Sequence, residues 1–107
     1  MTSHVQWVEL HAADAPPELV ACVTELMTSR PDWGRLGRTE AFILASEQLL
    51  RRVLESGAVA RAKALDLLAA DACVTWAFEA AAEEPATIVA GAERATKGIA
   101  AIAAEFA

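Results

Sequence analysis

Four side chains stand out because polar groups fall where apolar neighbours surround them. Asp71, Thr75 and Glu79 lie at four-residue intervals in the segment Ala58 to Glu83. This spacing puts all three on one helical face. The segment's large apolar residues, Leu65, Leu67, Leu68, Val74, Trp76 and Phe78, span an arc of about 200° on a helical wheel, with Asp71 and Thr75 near its middle. A carboxylate in such a setting needs a partner, a pocket or a raised pKa, which is the chemistry of a ligand contact or a general acid or base. A structural ion pair with an arginine, from the Arg30 to Arg38 loop or from a second copy, satisfies the same requirement without further function. Ser46 occupies a similar place among Phe42, Leu49, Leu50 and Val53. Its hydroxyl has a local outlet in the backbone carbonyl four residues back.

A second candidate is the loop from Trp33 to Arg38, part of the three-arginine segment Arg30 to Arg38 that is the chain's only basic cluster. Gly34 and Gly37 would let backbone N–H groups face an anion, Arg35 and Arg38 would supply charge, and Trp33 a stacking surface. The pattern matches neither a Walker-type phosphate loop nor a dinucleotide fingerprint, and an ordered loop anchored by Trp33 explains it equally well. His4 and His11 are seven residues apart, not the four of a helix-borne metal pair, and no Glu-x-x-His pair occurs. No metal site or cofactor is expected.

The elements that must position these residues are helices. Apolar residues at three- and four-residue spacing, with proline and glycine punctuation, predict helices over about residues 15–29, 39–56, 58–83 and 86–106. Asp14 is the expected cap of the first, and Gly57 closes the second. Pro31 and Pro85 end the helices before them. Ile88, Ala92, Ala95, Ile99, Ile102 and Phe106 follow a 4-3-4-3-4 pattern, with Gly91 and Gly98 forming a smooth strip beside it. Residues 3–12 read either as a short helical turn, from the capping-box spacing of Ser3 and Gln6, or as an extended segment. The fold class is therefore all-α, a compact four-helix bundle in a single domain covering residues 1–107.

The charge of −6 over 107 residues argues against nucleic-acid and anionic membrane partners, which bind through many Lys and Arg contacts. Uncharged stretches are far shorter than the ~20 residues of a membrane span. The start of the chain lacks a basic segment followed by an apolar one, and Cys22 and Cys73 have no metal-type spacing. A cytoplasmic location with two reduced thiols is the expectation.

The fifteen residues from Leu65 to Glu79, LDLLAADACVTWAFE, resemble an interior helix of trans-prenyl diphosphate synthases. The aspartate-rich magnesium motifs of those enzymes are absent, and the resemblance implies no synthase activity. Three readings follow from the residues themselves. The first is a non-catalytic interaction or scaffold domain that forms a homodimer, through the small-residue face of the last helix or the apolar surface of the long one. The second is a small apolar-ligand binder with a pocket between the second and third long helices, contacted by Asp71, Thr75, Glu79 and Ser46. The third is a small enzyme using Asp71 or Glu79 as acid or base.

Overall fold

Among the described residues, proline and capping residues set out five α-helices rather than four. The structure, a computed structural model, describes residues 2–55 and 60–107, leaving aside the side chains of residues 60, 61 and 87. Helix α1 spans His4–His11, α2 Pro17–Ser29, α3 Arg38–Glu55, α4 Ala60–Ala82 and α5 Ile88–Glu105. Short 3₁₀ turns at Pro31–Arg35 and Pro85–Thr87 join α2 to α3 and α4 to α5. No strand occurs among the described residues.

The N-terminal segment resolves in favour of the capping box. Ser3 Oγ accepts from the Gln6 backbone N–H, and the Gln6 side chain accepts from the Ser3 N–H, so two otherwise unpaired donors are satisfied. Burial of Trp7 and Val8 then holds two full turns in place. Asp14 does not cap α2, which starts at Pro17 with Pro16 at the cap position and no side-chain cap bond. Pro17 lacks an N–H that would need a partner, and Glu18 supplies the favourable charge of the first turn. The expected end of α3 at residues 56 and 57 and the expected start of α4 at residue 58 lie outside the described residues.

α3 and α4 form the most extensive helix pair. They run antiparallel, since Arg52 pairs with Asp66 near one end while Phe42 meets Trp76 further along. α5 lies alongside both and runs parallel to α3, with Gly91 close to Thr39, Arg94 on Glu47, and Glu105 on Arg51. α2 packs on the first part of α4, and α1 packs on α2. The molecule measures 39 × 30 × 25 Å.

The core is built from large side chains of α1, α2 and α3 against small ones of α4. Phe42, Ile43, Leu49, Val8 and Val23 are fully buried. Opposite them α4 contributes Ala69, Ala70, Cys73, Ala77, Ala80 and Ala81, with Trp76 its one large buried residue. Aromatic rings continue the packing, with Trp7 5.3 Å from Phe42 and Phe42 6.1 Å from Trp76, both tilted. No helix among the described residues is long and apolar enough to cross a membrane.

Candidate functional site

The size distribution just described determines where the residues of interest point. Alanines occupy the half of α4 that faces the core, so its larger residues are displaced outward. Leu67, Leu68 and Phe78 are 52%, 59% and 44% exposed, and Asp71, Thr75 and Glu79 are exposed beside them. The spacing predicts Asp71 within an apolar arc and in need of a partner, but the large residues beside it lie at the surface. On the outer face water solvates the Asp71 carboxylate, and it has no hydrogen-bond or ion-pair partner among the described residues. Thr75 turns its hydroxyl back to donate to the Asp71 carbonyl at 3.2 Å.

Ser46 is on the other side of the packing. It is 3% exposed on α3, and its hydroxyl donates to the Ile43 carbonyl at 2.7 Å. The four residues thus do not converge. Three lie open on α4, and the fourth is sealed with its donor already used. A hollow at the junction of α3, α4 and α5, between Ile43, Ala77, Phe78 and Ala95, is closed by direct packing.

The arginine loop is an anchored turn. Trp33 is buried, and the Arg30 guanidinium lies 4.8 Å above its ring, near the Asp32 carboxylate at 3.5 Å. His4 Nε2 approaches the carbonyls of Trp33 and Leu36, each at 3.1 Å. Carbonyls only accept, so this nitrogen carries the proton and ties α1 to the loop. Arg38 donates to the Thr2 carbonyl at 2.5 Å and lies over the Trp7 ring at 5.7 Å. Arg35 is exposed. Neither Gly34 nor Gly37 adopts positive φ, and nothing crowds either Cα. Trp33 therefore does not offer a free stacking face, and the loop's glycines are not forced into an anion-cradling geometry.

Other polar groups are arranged for packing. Arg94 reaches from α5 to α3, donating to Glu47 at 2.5 Å and to Glu40 at 3.2 Å. The hydrogen bond to Glu47 is the main reason its pKa is raised, which keeps it charged. A hollow of about 370 Å³ beside it, between the start of α3 and the turn joining α4 to α5, carries Arg38, Glu40, Glu84 and Arg94 on its walls. Trp7 Nε1 donates to Glu83 at 2.7 Å, and His11 stacks on Trp7 at 3.9 Å. Gly98 faces the Glu47 and Arg94 side chains, and Gly91 lies 3.3 Å (as a hypothetical Cβ) from Thr39 Cγ2. The small-residue strip of α5 is therefore filled by α3 of the same chain, and the dimer face expected there is already occupied.

Cys22 and Cys73 are free thiols. Burial, and then the carboxylate of Asp66 at 3.7 Å, push the Cys22 pKa up. Burial pushes Cys73 much further. Both stay protonated at neutral pH, which makes them poor nucleophiles and poor metal ligands. No group of three His, Cys, Asp or Glu side chains able to hold a metal ion occurs among the described residues.

Spacing groups Leu67, Leu68 and Phe78 into one apolar arc without saying which part of it is covered, and the structure leaves all three at the surface. The available signal was the opposite half of the helix, where alanines at 69, 70, 77, 80 and 81 fit close approach to another helix. Comparison of the chain with protein-family models, with curated proteins and with solved structures finds no match.

Proposed function

We propose that the chain is a self-associating, non-catalytic interaction domain that works as a homodimer. The observation that supports this reading is the outer face of α4, where Leu67, Leu68 and Phe78 are 52%, 59% and 44% exposed along one helix. Exposed apolar residues are common one at a time, but a row of them along a single helix is a feature of interaction surfaces. The polar residues among them, Asp71 and Thr75, give such a contact direction without supplying a catalytic arrangement. An acid or base role for Asp71 or Glu79 has less support, because both are exposed and no second group converges on either among the described residues. The apolar-ligand reading is weakened in the same way by the separation of Ser46 from the α4 residues. Two free thiols support a cytoplasmic setting.

Sedimentation equilibrium at micromolar concentration tests the reading. A mass of twice the 11.3 kDa chain is expected. A mass of one chain across that range overturns it.

A further inference from the structure

The outer face of α4 carries a pattern that also specifies its partner. Its exposed residues Ala64, Leu68, Asp71, Thr75, Phe78 and Ala82 follow one another at intervals of four, three, four, three and four. That is the spacing of a coiled-coil seam. Such a series reads the same from either end, and here the chemistry does too. About residue 73 as centre, alanine is placed symmetrically with alanine, leucine with phenylalanine, and aspartate with threonine. We infer, resting on the self-association proposed above, that this face takes α4 of a second copy, running antiparallel and in register about residue 73.

Direction follows from the charged residue. In a parallel pair Asp71 faces Asp71, and two carboxylates share a site from which water is being removed. In the antiparallel pair each Asp71 faces Thr75 of the other chain. The Thr75 hydroxyl, which donates to its own Asp71 carbonyl at 3.2 Å, can rotate to donate to the facing carboxylate instead. That carboxylate has no other partner among the described residues. Leu68 and Phe78 then interlock on either side of the polar centre, and the alanines at both ends let the backbones approach. The contact is isologous, as a two-fold dimer requires. α2, α3 and α5 all pack on α4, and the seam is what they leave uncovered.

The test uses nitroxide labels in a Cys22→Ser background, where Cys73 stays buried and unlabelled. One variant carries Ala64→Cys and a second Ala82→Cys, both at exposed positions. In the antiparallel register position 64 of one chain lies opposite 82 of the other. Two copies of either label are then about 27 Å apart along the helix axes, at ~1.5 Å per residue. Pulsed dipolar spectroscopy is expected to give this distance, broadened by the label arms, for both variants. A separation near the roughly 8–10 Å between packed helix axes, for both labels, means a parallel pair and overturns the register while leaving self-association standing. A dimer whose labels lie farther apart than the ~34 Å length of α4 overturns the use of this face. A monomeric mass of the unlabelled Cys22→Ser chain overturns self-association itself, whereas an unlabelled dimer that either label dissociates places positions 64 and 82 in the contact and supports the use of this face.

Discussion

The two faces of α4 differ in the opposite sense from an ordinary amphipathic helix. The inner face is made of Ala69, Ala70, Ala77, Ala80 and Ala81 with Cys73 and Trp76, and the outer face carries Leu67, Leu68 and Phe78 beside Asp71, Thr75 and Glu79. Both faces are apolar enough to bury. What separates them is size. Small side chains let α3 approach closely and bring its own Phe42, Ile43 and Leu49 into the space, so density comes from the partner helix. The larger residues of α4 have no room there. In an alanine-rich helix, therefore, side-chain volume alone does not indicate which face is buried. The fit between neighbours does.

Substitutions on the two sides should separate them by size of effect. Phe42→Ala, which empties the space that the alanines leave, is expected to cost about 3–5 kcal/mol in urea unfolding followed by tryptophan fluorescence. Ala69→Leu adds volume on the inner face and is expected to cost about 1–3 kcal/mol by overpacking. Trp7→Phe keeps a buried aromatic ring but removes the 2.7 Å bond to the half-exposed Glu83 carboxylate, and about 1 kcal/mol of destabilisation is expected from the lost bond. Leu67→Ser on the outer face should change monomer stability by no more than about 0.5 kcal/mol. An Ala69→Leu chain as stable as the original, or a Leu67→Ser chain that unfolds early, would erase the distinction between the faces.

The cysteines report on the same contrast chemically. Cys22 is half-buried between α2 and α4, and Cys73 is buried on the inner face. Iodoacetamide is expected to modify Cys22 first, and Cys73 only after unfolding. Thiolate is the reactive form, and the Cys22 pKa lies above its ordinary value of 9.0. Its labelling rate should therefore still be rising as pH passes 9.0. Mass spectrometry of timed samples checks both statements, and equal rates for the two thiols would show that α2 and α4 are not closely packed.

Backbone features were the most legible part of the sequence. Pro17, Pro31 and Pro85 remove donors or restrict their neighbours wherever they occur, so each marks a helix boundary independently of tertiary context. The capping box of Ser3 and Gln6 is likewise local, and only the burial of Trp7 and Val8 was needed to turn it into a full helix. Gly91 and Gly98 were rightly a site of close approach. Sequence spacing has no means of saying that the approaching helix is α3 of the same chain rather than a second molecule. Asp71, Thr75 and Glu79 share one face as their four-residue spacing predicts, but the size of their neighbours does not reveal that this face is the outer one. Ser46 is satisfied locally, although by the Ile43 carbonyl three residues back rather than the one four residues back. The ties from His4 to the loop, and from Trp7 to Glu83, join residues 29 and more positions apart and leave no periodic trace.

The outer face of α4 as the self-association surface is tested most directly by placing a charge in it and weighing the result. The measurement is sedimentation equilibrium of the original chain and of Leu68→Glu at equal micromolar concentration, with far-UV circular dichroism and urea midpoint as controls for folding. The expected result is a dimer of twice 11.3 kDa for the original chain and a monomer for Leu68→Glu, with helical signal and midpoint of the monomer unchanged. A Leu68→Glu chain that remains dimeric, or an original chain that is monomeric throughout, would contradict it.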